Sequence, residues 1–146
     1  MLALCATPTS FAQLNRFTGN WINGDLNSSG VTKVAVVATA NSIEVHAWGK
    51  CHPTDCDWGA VQGYAYAGKV VDDLAAQARS ISATYRTSFS ETIMVMHAVA
   101  SDQLQIEIMT RFLDSSGRTS YSAVYAFVRT AIPMAEIQIR DARRRQ

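Results

Sequence analysis

The chain has 146 residues, 48% of them apolar and 17% charged, which suits one globular domain large enough to bury its own core. Thirteen basic residues oppose twelve acidic ones, a formal net charge of +1, so the chain lacks the strong field that nucleic acid or an acidic lipid surface would require. No run approaches the roughly 18 apolar residues of a membrane-spanning helix.

The first residues, MLALCATPTSFAQ, are apolar and include Ser10-Phe11-Ala12, a small-x-small pattern of the kind cut by signal peptidase. A basic region ahead of the apolar stretch is lacking. Two readings therefore stand for residues 1–16: a signal-peptide remnant or an N-terminal arm. Cleavage would leave Cys51 and Cys56, an even pair suited to an oxidising compartment. The expected location is secreted or periplasmic, with the cytoplasm as the alternative.

From residue 17 to 130 the chain reads as short strands and turns. Residues 17–23 (FTGNWIN) form a first strand, followed by a loop rich in Gly, Asn, Asp and Ser. Residues 31–40 are rich in β-branched side chains. Residues 43–50 (IEVHAWGK) alternate, with Ile43, Val45 and Ala47 on one face and Glu44, His46 and Trp48 on the other. Residues 60–68 alternate again, and 69–80 read as a helical turn or a wide loop. Residues 81–89, 92–100, 103–113 and 121–129 complete the strands, joined by hairpin loops. After them Pro133 marks a helix start, so 131–146 is either a short C-terminal helix or a tail. The basic cluster Arg140, Arg143, Arg144 and Arg145 reads as a solvated tail.

About eight strands with short connections and no long helix would expose two edges as an open sheet. Closure into an antiparallel up-and-down β-barrel removes those edges. Eight strands is also the size at which the interior is either filled by side chains or holds one small ligand.

Gly19-Asn20-Trp21 opens the first strand and Arg129 ends the last. This resembles the calycin pattern of lipocalins and avidin-like barrels. The resemblance implies that the guanidinium of Arg129 stacks on the indole of Trp21, a favourable cation–π pair that plugs one barrel end. The chain departs from lipocalins in its shortness, in the insert GKCHPTDCDWG (49–59) and in lacking their disulfide to the C-terminal segment. An avidin-like barrel fits the length better. The block WGKCHPTDCDWG is similar to one in small uncharacterised bacterial proteins, a likeness that carries no activity with it.

In that insert, Cys51 and Cys56 are spaced for a disulfide, which would close a ring of about six residues and stabilise by about 2 kcal/mol. Zinc ligation completed by His46 and His52, or free thiols, are the alternatives. His46 is five residues before Cys51, and His52 is adjacent to it and so would tend to point away. The expectation is therefore a disulfide and no metal. No Gly-x-Ser-x-Gly elbow, papain-like cysteine context or phosphate-binding glycine loop is present. Neither catalytic residues nor a cofactor are therefore expected. His97 lies between two apolar faces, Ile93, Val95 and Val99 against Met94, Met96 and Ala98, and reads as a buried or half-buried histidine.

The candidate ligand-binding residues are aromatic. Trp48 and Trp58 flank the cysteine loop and either form an aromatic wall at the barrel mouth, beside His46, or serve as the loop's own packing. Tyr64 and Tyr66 share one face, and Tyr121 and Tyr125 are in phase with Phe127 and Arg129. Such a set suits a small apolar or aromatic ligand. The leading expectation is a non-enzymatic small-molecule-binding barrel. The alternative is a structural or self-assembling protein with a packed barrel, hence a homo-oligomer. A barrel isomerase or cyclase is the third reading and would need His46 or His97 inside.

Overall fold

A computed structural model describes residues 13–39 and 41–146. Most of the segment weighed as a signal remnant or arm thus lies outside the described residues. Eight strands run in chain order: β1 (Gly19–Asn23), β2 (Val31–Ala38), β3 (Ile43–Gly49), β4 (Cys56–Tyr66), β5 (Ser80–Arg86), β6 (Ser90–Ala100), β7 (Gln103–Phe112) and β8 (Tyr121–Thr130). Each pairs antiparallel with its neighbour in sequence, and β8 pairs back onto β1. The chain is an antiparallel eight-stranded up-and-down β-barrel. Two helices accompany it: α1 (Leu74–Gln77), whose Ala75 amide donates to the capping Asp73 carboxylate, and α2 (Met134–Arg144), which follows Pro133.

Period-two alternation decides what fills the barrel. Trp21, Ile81, Met94, Met96, Ile106 and Phe127 are inward and have essentially no exposure. Each such side chain contributes about 1.5–3 kcal/mol by burial. On β4 the inward positions are small, Val61, Gly63 and Ala65. A Cβ on Gly63 would come within 3.0 Å of side-chain atoms of Ile43 and Val45, so this wall has no room for larger groups. The same alternation turns Tyr64 and Tyr66 outward, where both are exposed. On β6 the methionines take the inner face, and His97 is exposed on the outer wall, contrary to the expectation of a buried ring.

One end of the barrel is sealed. Trp21 and Arg129 are cross-strand partners on the seam between β1 and β8. The Arg129 guanidinium lies 4.2 Å from the indole centroid. It donates hydrogen bonds to the carbonyls of Thr18, Arg16 (3.2 Å) and Ser101 (3.2 Å), while the indole N–H donates to the Phe17 carbonyl at 2.8 Å. Gly19 completes the seal. Its φ is +117°, and a Cβ there would stand 2.6 Å from Arg129 Nη1. The glycine of Gly-x-Trp is thus required by both backbone and space.

Gly19→Ala should therefore lower the unfolding free energy by about 1–3 kcal/mol, measured by urea denaturation. Adding Arg129→Ala should relieve the collision but not the backbone cost, so the double variant stays less stable than Arg129→Ala alone. Equal stability of those two variants would show that the backbone at Gly19 carries no strain.

Candidate functional site

The insert between β3 and β4 is closed by a Cys51–Cys56 disulfide, with the two Cα atoms 5.3 Å apart. Its buried residue is Asp55, whose side chain has no exposure. One carboxylate oxygen accepts from Thr32 Oγ1 at 2.5 Å and from the Lys33 ammonium, and the other accepts from Arg145 at 2.5 Å. Arg145 also donates to the Cys51 carbonyl, and Lys33 reaches Asp141 Oδ2 at 3.0 Å. Strand β2, the disulfide loop and the end of α2 therefore meet on one group.

Lys33 is 1% exposed although it faces out of the barrel, paired with Ile22 and Trp48 rather than with the core. A register irregularity between Val31 and Lys33 sets Thr32 where its hydroxyl meets both the Trp48 carbonyl (3.2 Å) and Asp55. Two cations, Lys33 and Arg145, face two anions, Asp55 and Asp141, so the buried group is neutral as a set. Burial alone pushes the Asp55 carboxyl up. The hydrogen bonds from Lys33, Thr32 and Arg145, with the Lys33 charge, outweigh it and hold the carboxyl below its usual 3.8.

A second polar cluster lies beside it. The His46 ring stacks on Trp48 with centroids 3.9 Å apart and planes 7° from parallel. His46 Nε2 meets Asp57 Oδ1 at 2.5 Å, and the Gly59 amide donates to the same oxygen at 2.7 Å. Asp57 is lowered in the same way: burial opposes ionisation, and the bonds from His46 and Gly59 outweigh it. This histidine–carboxylate pair is on the outer face of β3, and His97 is on the outer face of β6, so neither histidine points into the lumen.

The seven aromatic and histidine candidates are divided by the sheet. Trp48 is buried outside the barrel core, against His46, whereas Trp58 packs on the core and meets Tyr85 edge-on at 5.5 Å. The two indoles form no common wall. The reason is a bulge between Ala47 and Trp48, which pairs Trp48 with Asp57 and leaves Trp58 as the extra residue. Tyr85 is itself buried and donates to the Val45 carbonyl at 2.8 Å. Burial and then the nearby Asp57 charge push its phenol far up, so it stays a neutral donor. Tyr64 and Tyr66 face outward, Tyr66 exchanging a hydrogen bond with Ser82 at 2.9 Å. Tyr125 is inward-facing and contacts Phe127. Tyr121 is in the same phase but emerges at the rim near Phe112, whose ring carries Arg118 at 4.1 Å.

Arg145 corrects the reading of the basic cluster as a solvated tail, because its charge is bound to Asp55. Lys33, Asp55 and Asp141 were not among the sequence candidates. The available signal was Lys33 itself, a lone cation inside the apolar run VTKVAVVA. Among the described residues, no cluster of three His, Cys, Asp or Glu side chains is placed to hold a metal ion, and no helix is long and apolar enough to cross a membrane. Compared with known proteins, the chain matches no family model, no curated protein and no solved structure.

Removing one partner of the buried set leaves a charge uncompensated. Asp55→Asn should cost about 3 kcal/mol, and Lys33→Met in the same chain should recover part of it, both read from denaturant midpoints. Because the folded Asp55 has the lower pKa, its stabilisation is fully present above about pH 3.8 and is lost as pH falls through its folded value. The wild-type stability curve should therefore fall more steeply in acid than that of Asp55→Asn. Replacing both loop cysteines by serine should cost about 2 kcal/mol and increase hydrogen exchange along α2. Unchanged α2 protection would show that the loop does not hold the helix.

Proposed function

We propose that this chain is a non-enzymatic interaction protein, a packed barrel of calycin type whose outer wall associates with a second copy of itself. The observation that carries this reading is the filled lumen. Fully buried Trp21, Met94, Met96, Ile106 and Phe127 occupy the space where a ligand-carrying barrel keeps a cavity. Recognition then falls to the outside. On the wall formed by β6, β7 and β8, Ile93, Val99, Met109, Val124 and Val128 are all exposed, and apolar surface gathered on one face is the usual mark of a docking surface. Gly19, Trp21 and Arg129 support the calycin assignment through their seal. The disulfide supports an oxidising, extracytoplasmic location.

A second reading rests on one observation. A cavity of about 370 Å³ lies on that same wall, lined by Ile93, Met109 and Tyr121 among others. Its size is within the range that holds a small molecule, so an apolar or aromatic ligand would bind there rather than in the lumen.

Sedimentation of the wild type over a concentration series should show a monomer–dimer equilibrium, and Val124→Glu should shift it to monomer without changing thermal stability. A wild type that stays monomeric up to millimolar concentration would overturn the self-association reading. Native mass spectrometry separates the two: the dimer mass supports association, and a monomer carrying a small-molecule adduct supports the ligand.

A further inference from the structure

The sealed end of the barrel carries a cavity that none of the aromatic candidates touches. Its volume is about 380 Å³, and it lies among the turn Leu14–Arg16, the helix α1 and the end of β6. Arg16 and Arg79 line it with Gln13 and Gln77, and Ala76 and Ala98 supply apolar surface. We propose that this cavity binds a small monocarboxylate, whose anionic group is held by the guanidinium groups of Arg16 and Arg79.

The first support is an imbalance of charge. Two arginines line the cavity against one acid, Asp72. Asp72 Oδ2 is already engaged, accepting the Lys69 amide of its own loop at 2.9 Å. Among the described residues, neither Arg16 nor Arg79 forms an ion pair with a carboxylate. The twelve residues before Gln13 contain no Asp or Glu, so that segment has no carboxylate side chain to offer. An excess of one positive charge in the lining matches a monoanion better than a dianion.

The second support is preorganisation. Arg16 is held by two bonds, to Gln13 Oε1 at 3.2 Å and to the Ala98 carbonyl at 3.1 Å, which leaves the remaining guanidinium protons for a ligand. Both arginines are exposed to solvent, and the backbone of Arg79 is fixed by its amide, which donates to the Tyr66 carbonyl at 2.7 Å. Its guanidinium packs against Gly68, where a Cβ would collide with it. The planar guanidinium matches a carboxylate in two-point hydrogen bonding. The side-chain amides of Gln13 and Gln77 add donors, and Ala76 and Ala98 give a short apolar body a place to rest.

The test is a titration of the full chain with benzoate, followed by amide NMR shifts, with inorganic phosphate as the comparison. Benzoate should produce saturable shifts at Arg16, Phe17, Ala78 and Arg79. Arg79→Gln should weaken binding by about tenfold or more, the usual effect of losing a charge-assisted pair, with an unchanged melting curve. Arg140→Gln, on α2 and outside both cavities, should bind as the wild type does. Absence of saturable shifts at those amides, or equal binding by Arg79→Gln, overturns the site. Tighter binding of phosphate than of benzoate overturns the carboxylate assignment.

Discussion

The contact on which the rest of the structure depends is the pairing of β1 with β8. Every other strand meets its sequence neighbour through a local hairpin or short connection, whereas this pair joins residues more than a hundred positions apart. β1 is also the shortest strand, with five residues. A short strand closing a long loop has few backbone bonds with which to offset the entropy of closure. The Trp21–Arg129 stack lies on this seam and is its side-chain reinforcement. It adds a cation–π contact and three charge-assisted hydrogen bonds at the place where the sheet would otherwise open. The left-handed Gly19 is the condition for that reinforcement, since any larger residue would displace the guanidinium.

Closure with eight strands then fixes the lumen, and the sequence fills it from all sides. Methionines on β6, isoleucines on β7 and Phe127 on β8 are buried inside, and on β4 a Cβ at Gly63 would meet Ile43, Val45 and Ile81. The small position on β4 makes room for the larger side chains of its neighbouring strands, so interior volume is taken up without overpacking. Chemistry is thereby displaced to the exterior and the ends. The polar clusters follow that rule: His46 with Asp57 and Lys33 with Asp55 lie on the outer face, and Arg16 and Arg79 lie at the sealed end.

The architecture was legible because period-two alternation is long-lived in this chain. Strand positions, closure and the disulfide followed from patterns of apolar and β-branched residues or from spacing, whereas the Trp21–Arg129 pair was implied only by the resemblance of Gly19-Asn20-Trp21 and Arg129 to the calycin pattern. What escaped the pattern has specific physical causes. A single extra residue at the β3–β4 bulge sends Trp48 and Trp58 to opposite faces, and a bulge has no signature in alternation alone. Tyr64 and Tyr66 share a face, as their spacing requires, but which face is inward was decided by the bulk of neighbouring strands around Gly63. His97 was misplaced for a related reason, since both faces of β6 are apolar and only tertiary packing chooses between them. Asp55 escaped because its partners are 22 and 90 residues away, beyond any local rule.

That last case shows how the C-terminal helix belongs to the fold at all. No residue of α2 is fully buried, and Met134, Ile137 and Ala142 are half-buried on one face, so burial of an apolar face is only part of what attaches the helix. The deepest-buried part of the connection is ionic. Asp141 meets Lys33, and Arg145, just beyond the last helical residue, reaches Asp55 and the Cys51 carbonyl. The near-complete exclusion of water from Lys33 and Asp55 makes these bonds stronger than surface pairs and weakly screened by salt. It also makes them conditional, because the buried charges must remain matched. The disulfide limits the positions that Asp55 can adopt, and so the loop GKCHPTDCDWG acts through an aspartate: its cysteines hold in place the carboxylate that, together with Asp141, fastens the end of α2 to the start of β2.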